Sequence, residues 1–351
     1  MSRKHFAWLA AVTAIAAIVA FLVPRNTARE IGFEPDLLLP GLEEQVNEID
    51  WLRISAEGEA VATVRREADR WIVEEASAYR ADWPQVQQLL STLASARVIE
   101  EKTSNPKYFE RLGVEDPGSP ETSGVLISFA ESTGLPAVIS GNRAQGRDGQ
   151  YARLEGATQS VLIDSELDLP RETVGWLERE IIDVPESEVV EVSVHHPDGE
   201  SVVMKKISAD DENFELQAVP DGFEPKSAWT VNALAGGLSA LEFDAVAPAD
   251  DIEWSSETRY RVVTADGLDL EARLVEVPGE SEEADPAFWM RLEAGLYTTA
   301  IGGAGNSPET AERAGAVNRR VEGWAYRIPR YRHDNMTRRM DYFLQEIETG
   351  E

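Results

Sequence analysis

DRWIVEEASAYRADWPQVQQLLSTLASARVIEE, residues 69–101, has the pattern of a short strand, a turn and an amphipathic helix. Asp82 is a candidate N-cap for the helix, and Pro84 falls in its first turn, where proline is tolerated. Four apolar residues recur at a spacing of three and four, which places them on one helical face. These residues are Val86, Leu89, Leu90 and Leu93. The stretch therefore predicts a strand followed by a helix that packs one face on a core.

Nearly the same pattern returns at residues 212–246, ENFELQAVPDGFEPKSAWTVNALAGGLSALEFDAV. Apolar residues of the two stretches match at one constant offset along the chain. The matched pairs are Val86 with Val231, Leu89 with Leu234, Leu93 with Leu238 and Val98 with Phe243. Further on, the Arg-Leu-Glu of residues 153–155 matches that of residues 291–293. Generic strand–helix patterns could agree by chance, but the ungapped helix match and the shared tripeptide favour an internal duplication.

The order of the predicted elements indicates the fold class. Each copy has hairpins around glycine turns, then a helix, then further hairpins, so that most strand connections are local. Local connections favour antiparallel sheets with helices on one side, an α+β class. We expect two similar antiparallel-sheet-plus-helix domains, at residues 46–187 and 188–346. A linker at residues 24–45 precedes them and a tail at residues 347–351 follows.

The start of the chain predicts a membrane anchor. Residues 6–23, FAWLAAVTAIAAIVAFLV, contain no charge and follow Arg3 and Lys4. A helix of that length is about 27 Å long, close to the thickness of the hydrocarbon core. A cleaved signal peptide is the alternative, but its apolar region is usually shorter and no A-x-A-like site follows. We expect an uncleaved single-pass anchor in the cell inner membrane, with residues 1–5 in the cytoplasm and the bulk of the chain in the periplasm.

The composition restricts the possible partners and chemistry. The chain has 64 Asp and Glu against 33 Lys and Arg, and its net charge is −31. Such a chain repels phosphate backbones, so we expect no nucleic acid as a partner. It has no cysteine, which excludes disulfides, thiolate catalysis and zinc sites built on cysteine.

The remaining motifs indicate no catalytic or metal site. His195 and His196 are neighbours in a predicted strand, whose successive side chains point to opposite faces, so that both cannot readily bind one ion. No G-x-S-x-G motif occurs, and residues 302–305 lack the G-K-[ST] ending of a phosphate-binding loop. Paired carboxylates cannot be singled out among 64 acids. We expect no catalytic residue, no cofactor and no metal.

One segment, residues 319–339, is basic within this acidic chain, with seven arginines against two acidic residues. Arginine interleaved with tryptophan and tyrosine is typical of interaction hot spots, here for an acidic partner domain or anionic lipid heads. The alternative is that these arginines neutralise the protein's own carboxylates between the two domains. The candidate partner-docking residues are Arg319, Arg320, Trp324, Arg327, Arg330, Tyr331, Arg332, Arg338 and Arg339.

Four motifs, together with the predicted anchor, resemble the family catalogued as domain of unknown function 4340. The motifs are W-I-V (71–73), Y-R-A-D (79–82), V-x-x-L-L-x-x-L (86–93) and Y-F-E-R-L-G-V-E-D-P (108–117). The resemblance implies a single-pass, extracytoplasmic bacterial protein, commonly encoded beside ABC-type exporter subunits and the extracytoplasmic protein of the gliding-motility type. It implies no catalytic residues.

We therefore expect a non-enzymatic, membrane-anchored accessory or scaffold protein that binds partner subunits of an ABC-type export or envelope complex. Two alternatives stay open. One is an envelope ligand-binding sensor with a pocket between the two domains, since domain interfaces commonly form pockets. The other is a carboxylate-dependent hydrolase, since two carboxylates suffice for glycoside cleavage.

Overall fold

A computed structural model describes the chain from residue 36 to residue 347 with short gaps. The described residues are 36–68, 70–116, 118, 122–279, 281, 284–297 and 307–347. They form a mixed structure of mostly antiparallel strands with few helices, in agreement with the α+β class. Within them no helix is long and apolar enough to cross a membrane. The predicted anchor at residues 6–23 lies outside the described residues.

The first half forms a nine-stranded antiparallel sheet. Its strands are β1 (Trp51–Ala56), β2 (Glu59–Glu67), β3 (Arg70–Val73), β4 (Tyr79–Arg80), β5 (Val98–Glu101), β6 (Val125–Phe129), β7 (Val138–Arg143), β8 (Gln150–Leu154) and β9 (Ser160–Ile163). Their order across the sheet is β4-β3-β2-β1-β6-β7-β8-β9-β5. Ile54, Val64 and Ile127, on three adjacent strands, are fully buried. Because side chains alternate between the faces of a sheet, one whole face packs on the core.

Two short strands follow, β10 (Glu180–Ile182) and, later in the chain, β15 (Leu241–Glu242), which pair with each other. A second ribbon joins β14 (Phe223–Pro225) to β21 (Leu344–Glu346). The remaining strands of the second half form an eight-stranded sheet. They are β11 (Val189–His195), β12 (Ser201–Lys205), β13 (Glu215–Leu216), β16 (Ala245–Pro248), β17 (Thr258–Thr264), β18 (Leu268–Val277), β19 (Ala287–Leu296) and β20 (Trp324–Arg327).

The two large sheets have the same strand order. The second sheet runs β13-β12-β11-β17-β18-β19-β20-β16, and the first sheet, after its edge strand β4, runs β3-β2-β1-β6-β7-β8-β9-β5. In both, the first three strands of the half form a meander, and a strand that comes after the helix, β5 or β16, lies at the far edge. The match covers all eight positions of the second sheet.

Helices are few and mostly short. They are α1 (Leu42–Gln45), α2 (Trp83–Ser95), α3 (Phe109–Leu112), α4 (Ala228–Asn232), α5 (Pro308–Val321), α6 (Arg330–Met336) and α7 (Met340–Phe343). The four residues expected on the inner face of α2 are all buried. The Asp82 side chain accepts a hydrogen bond from the Gln85 backbone N–H at 3.0 Å. The predicted helix, its buried face and its N-cap are thus present in the structure.

The matching helix of the second half is shorter than its sequence pattern suggests. After α4, residues Ala233–Leu238 continue as a 3₁₀ helix. The Tyr260 hydroxyl donates a hydrogen bond to the Leu234 carbonyl oxygen at 2.6 Å. The carbonyl group that would continue an α-helix is therefore engaged by a side chain. Gly237 permits this close approach, since a Cβ atom there would lie 2.6 Å from the Tyr260 hydroxyl oxygen.

Part of the predicted linker packs on the first half. Leu38, Leu39 and Leu42 are buried, and the Leu38 N–H donates to the Ala96 carbonyl oxygen at 2.8 Å. The apolar run at residues 37–42 thus joins the core of the first half, because exposure of three leucines to water would be unfavourable.

The two halves meet at a mixed aromatic and charged contact, which we call the seam. Tyr79 of the first half packs edge-on against Phe243 and Trp324 of the second, with ring centroids 5.4 and 4.8 Å apart. At its rim, the pair β10–β15 joins a strand from each side. The buried residues of both halves accordingly form one continuous core.

The neighbouring glycines Gly236 and Gly237 provide a direct test of the contact with Tyr260. We expect Gly237→Ala to lower the free energy of unfolding by about 1–3 kcal/mol, because the new methyl group overpacks the Tyr260 ring. The measurement is urea unfolding followed by circular dichroism.

Gly236→Ala is the matched control, since the nearest atom to its Cβ would be 4.0 Å away. We expect this variant to be as stable as the parent or slightly more stable, because alanine favours helical backbone over glycine. Equal destabilisation by the two substitutions would contradict the proposed role of Gly237.

Candidate functional site

The structure separates the nine candidate docking residues into three groups. The first group, Arg320 and Trp324, belongs to the seam. Arg320 forms ion pairs with Glu178 at 3.0 Å and Glu180 at 3.4 Å. Trp324 is half-buried against Tyr79. These two side chains hold the protein's own halves together, and they offer little free surface to a partner.

The second group contains Arg339 alone, which contacts the hairpin formed by β11 and β12. Its guanidinium group contacts Asp198 at 2.8 Å and also contacts Glu200. The Met340 backbone N–H donates to the Glu200 carboxylate at 2.8 Å. Donation from Met340 and the charge of Arg339 lower the pKa of Glu200. The turn between β11 and β12 is thereby fixed to the segment that precedes α7.

The third group is exposed or half-exposed and extends from α5 and β20 through α6 to the residues after it. Its members are Arg319, Arg327, Arg330, Tyr331, Arg332 and Arg338. Tyr331 is 68% exposed, and the Arg332 guanidinium lies 5.5 Å from the centroid of its ring. Arg330 forms an exposed pair with Asp334 at 3.6 Å, a type of contact that contributes little to stability. These side chains remain available for contact with another molecule.

The structure adds further residues beside this group that the sequence analysis missed. The ribbon β14–β21 places Phe223 opposite Glu346. The Tyr342 ring lies between two cations, with Lys226 Nζ at 5.6 Å and the Arg338 guanidinium at 3.9 Å from its centroid. Such cation–π contacts orient both the ring and the charges. Tyr342 is 37% exposed and Phe223 is 39% exposed.

Trp229 is a further exposed aromatic residue in this part of the chain. It is 77% exposed and lies in α4, three residues after Lys226. Its neighbour Val231 is buried in the core, so the helix turns Trp229 outward. We call Phe223, Lys226, Trp229, Arg338 and Tyr342 the aromatic–cation surface. In the sequence, Trp229 falls outside the spacing of the apolar residues on the buried face of its helix. That mismatch is the signal that could have identified this surface.

His195, His196 and His333, the histidines within the described residues, have different surroundings. His195 is exposed and His196 is buried, so the two side chains lie on different sides, as expected for neighbours in a strand. No group of three or more His, Asp or Glu residues within the described ranges is placed to hold a metal ion. The His333 ring stacks on Phe288 with centroids 4.5 Å apart, and burial lowers the pKa of His333. Its surroundings are those of a packing residue.

Five cavities of about 350 to 830 Å³ in the described part of the chain are each lined by one half only. The largest lies beside α2 in the first half, with Leu37, Val46 and Trp83 in its wall. The sensor alternative expected a pocket between the halves. At the seam, Tyr79 packs against Phe243 and Trp324, and Arg320 forms its ion pair with Glu178.

The contact of Arg339 with Glu200 predicts a pH effect. A carboxyl group whose pKa is lowered in the folded state stabilises the fold above its unfolded value of about 4.3. That stabilisation is lost as the pH falls through the lower folded value. We expect Arg339→Gln to raise the pKa of Glu200 part of the way to the ordinary value, since donation from Met340 remains.

Carboxyl carbon NMR titration measures this change. Arg330→Gln, which removes an exposed arginine elsewhere, is the control and leaves the Glu200 titration unchanged. A Glu200 pKa that is the same in the parent and in Arg339→Gln would show that the guanidinium contact has no electrostatic effect.

Comparison with known protein families matches residues 71–256 to the domain of unknown function DUF4340. The matched residues begin at β3 and include α2, the seam residues Tyr79 and Phe243, and the strands β4 to β16. Comparisons with curated proteins and with solved structures find no match. The family match covers more than half of the chain. This chain therefore belongs to the DUF4340 family.

Proposed function

We propose that this chain is a membrane-anchored, extracytoplasmic accessory protein that docks partner subunits of an ABC-type export or envelope complex. The observation that carries the proposal is the aromatic–cation surface, which is exposed in a chain of net charge −31. Tryptophan, tyrosine and arginine are the side chains that contribute most binding energy at protein interfaces. The proposal assigns docking to the second half.

The architecture supports a scaffold that arose by duplication of one sheet-plus-helix unit. Both large sheets have the same strand order. The matched helix residues Val86 and Val231 are both buried. Conservation of one strand order over two halves of a chain has a simple origin in a copied unit. The duplication therefore accounts for the framework, and the differences between the copies are the places to look for function.

The clearest difference between the copies lies at the aromatic–cation surface. In the first half, β4 follows β3 and extends the large sheet. The corresponding strand of the second half, β14, leaves the sheet and pairs with β21. That rearrangement brings Lys226 beside Tyr342 and places Phe223 opposite Glu346. One copy thus retains the plain sheet edge, and the other has an exposed aromatic ribbon.

The location in the proposal rests on residues 6–23, whose uncharged apolar composition suits a single membrane span. Residues 24–351 are placed outside the cytoplasm. A tether of this kind holds the aromatic–cation surface near the membrane, where membrane-embedded partner subunits are found.

Trp229→Ala tests the docking role. We expect cross-linking in intact membranes, followed by detergent capture of the tagged chain at native expression, to recover transporter-type subunits. Removal of Trp229 should reduce that recovery about tenfold, in line with the loss of one interface hot spot. The fold should be unaffected, because the side chain is 77% exposed.

Tyr108→Ala is the matched control, since Tyr108 is an exposed aromatic residue of the first half. This variant should recover partners as the parent does. Recovery of the parent chain alone, or an equal loss in both variants, would refute docking at this surface.

A further inference from the structure

The outer face of the second sheet carries two adjacent rows of charged side chains. In the first row, Arg259, Arg273 and Arg291 stand directly opposite one another on β17, β18 and β19. In the second row, two residues along the strands, Glu271 stands between Arg261 and Glu293. The residues between them on these strands are buried in the shared core, so both rows lie on the face that points away from it.

This pattern is unfavourable for the sheet itself. Like charges directly opposite each other on neighbouring strands are destabilising, and opposite charges are stabilising. In the first row every cross-strand neighbour of an arginine is another arginine, whereas Glu271 in the second row faces Arg261. The chain also has about half as many basic as acidic residues, yet three arginines lie in one row. Ion pairs with Glu257 and Glu271 offset part of the repulsion between these arginines.

The arginine row is held rigidly. The Glu257 carboxylate contacts Arg259 at 3.2 Å, Arg273 at 3.3 Å and Arg291 at 3.0 Å. The Arg291 guanidinium also lies 4.5 Å from the centroid of the Trp254 ring. Its Nε atom is closed off from solvent and has no hydrogen-bond acceptor among the described residues. Glu271 adds a contact with Arg273 at 2.8 Å. Two carboxylates still cannot satisfy the donors of three guanidinium groups, because each guanidinium has five N–H bonds.

The corresponding arginine of the first half is fully engaged. Arg153, in the matched Arg-Leu-Glu, is 2% exposed and stacks over Phe109 at 4.7 Å. It donates to the Val114 carbonyl oxygen at 2.7 Å and to Asp116 at 2.5 Å. The segment that contains α3 supplies these contacts in the first half. Arg291 instead borders an open cavity.

That cavity has a volume of about 550 Å³, which is within the range of small-molecule sites. Arg273 and Arg291 line it together with Glu293 and Glu322, and Trp324 forms part of its wall. Glu293 and Glu322 are exposed and form no ion pair within the described ranges. The cavity therefore presents cationic and anionic groups side by side.

We propose that this cavity binds a short peptide with free ends, whose carboxylate contacts Arg273 and Arg291 and whose ammonium group contacts Glu293 and Glu322. Positions two residues apart on a strand are separated by about 7 Å. The two ends of an extended dipeptide are separated by about the same distance. A simple anion is a poorer fit, because the carboxylates of the same cavity repel it. The site is separate from the aromatic–cation surface and does not depend on docking there.

Isothermal titration of the full-length chain in detergent with glycylglycine tests the proposal. We expect a dissociation constant of about 1 mM or lower for this probe. Acetate, methylammonium and N-acetylglycylglycine each lack one of the two charges. We expect them to bind at least about tenfold more weakly, because a charged group of the cavity then has no partner.

Substitution of residues that line the cavity tests whether glycylglycine binds there. Arg291→Gln and Glu293→Gln should each weaken glycylglycine binding about tenfold or more. Lys205→Gln is the control, since Lys205 pairs with Glu191 at 3.0 Å in the same sheet but does not line the cavity. If Arg291→Gln lowers the melting temperature, its loss of binding could reflect a damaged fold. Glu293→Gln then provides the test, because Glu293 is exposed and its substitution should leave the fold intact.

Three results would overturn the proposal. The first is no heat of binding with glycylglycine at about 20 mM, a concentration well above the expected dissociation constant. The second is equal binding of acetate, which would indicate a plain anion site. The third is equal affinity of Glu293→Gln and Lys205→Gln for glycylglycine.

Discussion

The two sheets are joined at the seam, where the Glu178 carboxylate lies between Arg80 of the first half at 2.9 Å and Arg320 of the second at 3.0 Å. Arg80 also donates to the Arg320 carbonyl oxygen at 2.6 Å. Beside these charges, burial raises the pKa values of Tyr79 and Tyr326, so both phenols stay neutral at ordinary pH. The seam thus combines one compact ion network with an uncharged aromatic core.

A fixed seam has consequences for the outer surfaces. Because the halves share a core, each sheet has only one face free, and the two copies use that face differently. The first sheet is covered by the segment around α3, where Phe109, Val114 and Ile139 form a small second core. The second sheet leaves Arg291 beside a cavity. The strand order is therefore the same in both halves, and the surface chemistry differs where the segments that cover the sheets differ.

Local features of this chain could be predicted from the sequence. The inner face of α2 and its Asp82 cap follow from spacing and side-chain chemistry within a single turn of helix. The role of each arginine could not be predicted in the same way. Arg320 and Arg338 occur in one basic segment, but Arg320 meets Glu178 and Arg338 meets Tyr342. Glu178 is distant from Arg320 in the sequence, and the contact of Arg338 with Tyr342 depends on how the segment folds. The composition of the segment identifies neither partner.

The register of the second sheet could not be predicted from the sequence for a similar reason. Arg259, Arg273 and Arg291 alternate with apolar residues in the sequence, which predicts three half-buried strands. Whether an arginine faces an arginine or a glutamate depends on how the strands align. That alignment is set by loop lengths and the packing of the whole core. The shortened helix at α4 likewise depends on Tyr260, which lies on a later strand.

Hydrogen exchange during urea unfolding, read by mass spectrometry, tests the shared core most directly, because it follows both sheets in one experiment. If the halves are one cooperative unit, peptides from β1 and from β11 lose protection at the same urea concentration, in a single transition. Loss of protection in one sheet while the other stays protected would contradict the account.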